Sequence, residues 1–161
     1  MDRSYQKHVG ISVAFGLIMI IILSLVSPGG FPAAEAAETV ALPTQAVAPG
    51  EAALTVNLEL PAGCKLNQEA PSTLGLKSGD VNIVAVDKKY AQNLPVANLP
   101  LCLTVPVKEG KTTVQAKFRI NYCDEKLGIC FLKEAALNLP VEVNKNAPNK
   151  KLEIVYKLPT N

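Results

Sequence analysis

The four cysteines, Cys64, Cys102, Cys123 and Cys130, are the residues in this chain with the clearest capacity for chemistry. Thiols can close a disulfide, exchange it with another thiol, or hold a soft metal. Four of them allow three complete pairings. The closest pair in sequence is Cys123 and Cys130, with six residues between them, Asp-Glu-Lys-Leu-Gly-Ile. A connection of that length can fold back as a hairpin with both cysteines near its base. A disulfide there closes a small loop, which by chain entropy contributes roughly 2.5 kcal/mol. One reading is a staple on a hairpin loop. The other is a redox-active pair at the rim of a rigid scaffold, where the thiolate of a partner can reach it. Asp124 and Glu125 follow Cys123 directly, and their charge disfavours a thiolate at that position, with Lys126 opposing weakly. The pair therefore reads as a substrate or relay disulfide. Cys130, flanked by Ile129 and Phe131, is the sulfur that an incoming thiolate is expected to attack. Two outcomes stay open for Cys64 and Cys102: a second, structural disulfide, or two separate buried thiols. Irregular spacing and the lack of a C-x-x-C knuckle argue against a zinc site built from all four.

Little else competes. The one histidine, His8, lies in the N-terminal segment, so the rest of the chain has no imidazole for Ser-His or Cys-His catalysis or for metal ligation. No Gly-rich phosphate loop or nucleophile motif is present, and no cofactor is expected. Asp124 and Glu125 are adjacent, so as an acid/base pair their side chains would diverge; a solvated loop tip is the simpler reading. The chain carries 16 Lys+Arg against 14 Asp+Glu, too even a balance for an electrostatic nucleic-acid binder.

The elements that must position the cysteines read as strands. Period-two alternation dominates from Leu54 onward. Leu54, Val56, Leu58 and Leu60 form one apolar face. Val81, Ile83 and Ala85 make a second run, apolar on both sides because of Val84 and Val86. Leu99, Leu101, Leu103, Val105 and Val107 make a third. Pro100 and Pro106 place that run at a sheet edge or a bulge. Val114, Ala116, Phe118, Ile120 and Tyr122 alternate with the solvated Thr113, Gln115, Lys117, Arg119 and Asn121. Leu137 to Val143 and Leu152 to Leu158 complete the set. Turn signals at Lys77–Asp80, Lys108–Lys111 and Asn144–Lys150 separate the runs. The expected fold is all-β: an antiparallel, immunoglobulin-like β-sandwich preceded by an N-terminal signal or anchor helix. Leu101, Leu103, Val114, Phe118, Ile120, Leu139, Val141 and Ile154 are expected to share its core.

Residues 9–26, VGISVAFGLIMIIILSLV, carry no charge and follow Arg3 and Lys7. The breakers Ser27-Pro28-Gly29-Gly30 come next, and Ala34-Glu35-Ala36 fits the small-x-small pattern of a signal-peptidase site. Residues 1–36 therefore read as a signal peptide or an uncleaved anchor, since an 18-residue run is at the edge of what spans a bilayer. Both readings export the remainder to the periplasm or the cell exterior, with any membrane contact made through this segment. Residues 37–50, rich in Ala and Pro, read as a linker, and residues 51–161 as the folded domain.

Leu99-Pro100-Leu101-Cys102-Leu103-Thr104-Val105-Pro106-Val107, Phe118-Arg119-Ile120-Asn121-Tyr122-Cys123, Cys130-Phe131-Leu132 and Leu137-Asn138-Leu139-Pro140-Val141 together resemble the N-terminal periplasmic domain of DsbD-type thiol:disulfide interchange proteins. Leu60-Pro61-Ala62-Gly63-Cys64-Lys65-Leu66-Asn67 and Glu69-Ala70-Pro71-Ser72 are similar to the β-domain found C-terminal to NHL repeats in some thioredoxin-like proteins. The resemblance spans about residues 58–143. It implies an immunoglobulin-like sandwich whose cysteine pair shuttles electrons between thioredoxin-like or DsbD-like partners. Cys130 would form the mixed disulfide and Cys123 would resolve it. The loop holds six residues where five is usual in that family, and Tyr90 is the only aromatic available to a cap loop between Val81 and Leu99. The implied protein is a stand-alone, exported or singly anchored version, an oxidoreductase if active; the alternative is a non-catalytic binding or scaffold domain with a structural disulfide.

Overall fold

The structure is a computed structural model, described here for residues 37–96 and 99–159. The expected signal or anchor, residues 1–36 with its apolar run 9–26, lies outside the described residues. Among the described residues no helix is long and apolar enough to cross a membrane.

Ten strands carry the fold: β1 (Glu38–Ala41), β2 (Gln45–Val47), β3 (Gly50–Glu59), β4 (Cys64–Leu66), β5 (Thr73–Ser78), β6 (Leu94–Pro95), β7 (Leu101–Val107), β8 (Gly110–Asp124), β9 (Ile129–Val143) and β10 (Lys151–Lys157). A single turn of 3-10 helix occupies Lys88–Ala91. The larger sheet runs β1-β9-β8-β5-β6, with β2 also on β9 and β4 also on β8; the smaller runs β10-β3-β7.

Alternation explains the pairing. In β8 the even-numbered Val114, Ala116, Phe118, Ile120 and Tyr122 are buried, and in β9 the odd-numbered Ala135, Leu137, Leu139, Val141 and Val143. The two strands pair antiparallel from Gly110↔Val143 to Asp124↔Ile129, which places these sets on one face. Leu54 and Val56 of β3, Val105 and Val107 of β7, and Leu152, Ile154 and Tyr156 of β10 join them in a single core cluster. Two sheets thus enclose one apolar layer. Of the eight expected core residues, six are buried, while Leu101 and Leu103 are half-buried against the cluster. β7 pairs along its length only with β3, so Pro106 does sit on an edge strand, while Pro100 lies just before it.

Three expectations need correction. The sheets are mixed, not antiparallel throughout: β1 and β2 run parallel to β9, and β10 runs parallel to β3. Residues 37–50 are not a linker, because β1 and β2 lie within them and Val47 is fully buried. Their burial comes from docking on β9 and not from a period of their own. The Val81–Ala85 run is not a strand. Asp80 accepts hydrogen bonds at its carbonyl from the N–H groups of Ile83 and Val84, and at Oδ1 from Asn82 N–H. That turn leaves Val81 54% exposed and sends Val84 and Val86 inward.

The outer edge of β10 is met by a side chain. The Gln45 amide donates from Nε2 to the Glu153 carbonyl at 2.7 Å and accepts at Oε1 from the Glu153 N–H at 2.8 Å. One side chain thereby substitutes for a strand neighbour at that point of the β10 edge.

Candidate functional site

Cys123 is the penultimate residue of β8 and Cys130 the second of β9, and the two are directly opposed in the register. They form a disulfide, with Cα atoms 3.9 Å apart. Four residues, Glu125 to Gly128, turn the chain beyond them. Asp124 builds that turn: its Oδ1 accepts from the N–H groups of Lys126 at 2.8 Å and Leu127 at 3.1 Å, and its carbonyl accepts from Gly128 N–H at 2.9 Å. Gly128 has φ +64°, a left-handed conformation that glycine adopts without cost from a Cβ.

Successive residues of a strand face opposite sides, so the disulfide sits on the outer face of the large sheet, away from the core face that carries Tyr122 and Phe131. Those two rings stack at 5.3 Å, forming a rigid floor on the inner side of the hairpin. Cys123 is half-buried and Cys130 exposed. The asymmetry follows from the neighbours. On the β8 side, β4 covers the strand, pairing Cys64 with Asp124, Lys65 with Cys123 and Leu66 with Tyr122. On the β9 side, β1 begins pairing only at Ala135, so no described strand lies beside residues 129–134 on that edge.

Exposed apolar side chains gather at the hairpin tip. Leu127, Ile129 and Leu132 are 65%, 50% and 49% exposed, three of the four large hydrophobic residues so exposed among the described residues. Leu132 lies two positions along from Cys130, on the same face. Phe131, expected to contribute to this surface, instead turns inward and half-buries against Tyr122. Leu132 takes its place on the outer face; its exposure depends on the free edge of β9, which the flanking residues alone do not reveal.

The acidic residues after Cys123 also differ from expectation. The Asp124 carboxylate is engaged by two backbone N–H groups, and Glu125 is ion-paired with Lys65 at 2.6 Å. Neither is left as an unopposed charge beside the sulfurs. The two carboxylates serve different partners.

Cys64 and Cys102 are both free thiols, and the second disulfide held open for them does not form. Cys102 projects from the outer face of β7 in the small sheet, exposed, with Thr55 Oγ1 3.9 Å from its sulfur. Cys64 belongs to the large sheet and packs half-buried against the core from β4. It lines a groove of about 210 Å³ together with Pro61, Tyr122, Leu127 and Phe131. That is the inner side of the hairpin, opposite the face bearing the disulfide, so Cys64 is a register neighbour of the hairpin without sharing its sulfur face. Among the described residues no three His, Cys, Asp or Glu side chains cluster as metal ligands.

No protein-family model matches this chain, and no curated protein matches it. The chemistry of the site therefore rests on its own geometry: a disulfide on the outer face of a strand hairpin, with one cysteine half-buried, the other exposed, and Leu132 exposed beside the second.

Proposed function

We propose that residues 51–161, together with the two strands that precede them, form an exported thiol–disulfide exchange module. It relays electrons to or from thioredoxin-fold partners through Cys123 and Cys130. We read the two-sheet fold as an immunoglobulin-like sandwich of the DsbD N-terminal kind, working in the periplasm or outside the cell. The observation that carries this reading is the exposed Cys130 at an open strand edge, with the exposed Leu132 two residues along on the same face. A thiolate approaches a disulfide along the sulfur–sulfur axis and needs such access. The apolar Leu132 exposed beside it suits a partner that docks by burying it.

The exchange balances as follows. A thiolate of the partner's dithiol attacks Cys130 Sγ. A new sulfur–sulfur bond forms to the partner, the Cys123–Cys130 bond breaks, and its electron pair leaves on Cys123. The partner's second thiolate then attacks the mixed disulfide and releases Cys130 as a thiolate. The partner is oxidised, this protein is reduced, and the reverse sequence passes the electrons on.

A purely structural role fits the position less well. β8 and β9 already pair along their whole length, and the link closes only a short turn beyond them. Stabilisation by chain entropy is smallest for loops of that size.

Trapping tests the proposal. Cys123→Ser leaves Cys130 unable to be resolved internally and should capture a thioredoxin-fold partner as a mixed disulfide. Cys130→Ser should capture none, although Cys123 is then free. If neither variant captures a partner and the wild-type disulfide withstands reduced thioredoxin, the pair is a staple.

A further inference from the structure

Among the described residues, Lys65 is the one charged residue that the strand register places directly across from a cysteine of the disulfide. It lies opposite Cys123 in the β4–β8 pairing and therefore on the same outer face. Directly opposed residues of neighbouring strands hold their Cβ atoms about 5 Å apart, within reach of a lysine side chain. The Lys65 ammonium is 2.6 Å from Glu125 Oε1, and both side chains are largely exposed.

We propose that Lys65 is the counter-charge for Cys123, stabilising its sulfur as the electron pair arrives on it when Cys130 is attacked. This rests on the exchange reading above and assigns a role that reading leaves empty. Breaking the bond puts a full negative charge on Cys123, and a leaving thiolate departs faster the better it is stabilised. The charged groups on the surrounding elements are few. On β8, Asp124 is held in its turn by two N–H groups, and Asn121, the next residue on the sulfur face, is neutral. From the turn come Glu125, bound to Lys65, and Lys126. On β9, Leu132 is neutral, Glu134 pairs with Arg119, and Lys133 lies on the other face, paired with Glu38. Glu125 thus holds Lys65 while the disulfide is closed. The nascent thiolate competes with it for the same ammonium when the disulfide opens.

The experiment uses the full chain with Cys130→Ser, in which Cys123 is a free thiol. Iodoacetamide alkylation is followed against pH and read peptide by peptide, so that Cys64 and Cys102 are resolved separately. Adding Lys65→Met should move the Cys123 midpoint up by about half a pH unit, the size of a single charge at roughly 6 Å in water. Lys65→Arg should restore the midpoint, and Glu125→Gln should lower it by freeing the ammonium. In the otherwise wild-type chain, Lys65→Met should slow reduction by a thioredoxin-like dithiol about twofold. A midpoint that Lys65→Met leaves unmoved, with reduction of the wild type intact, overturns the role of Lys65 alone. A wild-type disulfide that the dithiol never reduces overturns the exchange reading, and with it any leaving group for Lys65 to stabilise.

Discussion

The hydroxyl of Tyr156 donates a hydrogen bond to Oε2 of Glu38 at 3.0 Å, joining the last strand of the fold to the first. The same carboxylate oxygen is 3.4 Å from Lys133 Nζ on β9. Tyr156 is 3% exposed and its ring stacks on Phe118 at 5.8 Å. Burial, followed by the hydrogen bond to Glu38, pushes the ionisation of its phenol far above the ordinary tyrosine range. The folded state therefore keeps a proton that the unfolded chain releases near pH 10. Stability supplied this way is complete below that pH and declines as pH rises above it. Urea midpoints of the wild type should fall above about pH 10, and Tyr156→Phe should flatten that part of the profile. At neutral pH the same substitution should cost about 1 kcal/mol for the lost hydrogen bond.

Phe118 lies at the centre of β8, 3% exposed, and opposes Leu74 on one side and Ala135 on the other. Phe118→Ala should destabilise by roughly 3 to 5 kcal/mol in urea unfolding, as deletion of a buried aromatic does. A change of a few tenths would place the ring outside the core.

Thiol labelling of the native protein should modify Cys102 first and Cys64 more slowly, following their exposure. Cys123 and Cys130 should react only after reduction. A peptide containing Cys64 linked to Cys102 would contradict the separation of the two sheets.

Two glycines should respond differently to alanine. Gly128 has φ +64° with nothing within 4 Å of an added Cβ, so Gly128→Ala meets only the conformational penalty, about 1 kcal/mol. Gly110 has φ +145°, and its Cβ would come 2.7 Å from Ile83 Cδ1. Gly110→Ala should therefore lower the urea midpoint more.

The strands of the core were legible because they alternate over long runs: Val114 to Tyr122 could hardly be read otherwise. The Cys123–Cys130 pair was legible because only a short turn separates its members. What escaped was everything fixed by distant pairing. Thr39 to Ala41 carry no period and become a strand only by lying along β9. Thr73 to Ser78 contain Gly75 and merge into a turn signal, yet they pair with six residues of β8. The juxtaposition of Lys65 with Cys123 depends on the register between β4 and β8, about 60 residues apart, which no local pattern encodes. Conversely, Val81 to Ala85 had the pattern of a strand and lost it to the Asp80 turn.

The parallel pairings have a consequence for the order in which the fold can assemble. β1 finds its partner at Ala135 and β3 finds β10 at Leu152, each about 100 residues downstream. As the chain emerges from its N-terminus, neither strand can complete its neighbourhood until the last third exists. The β8–β9 hairpin, whose contacts are local, is the natural nucleus, and the earlier strands close onto it afterwards. A topology so rich in distant contacts folds slowly, in milliseconds to seconds. During synthesis β1, β2 and β4 therefore wait unpaired until β8 and β9 have been made.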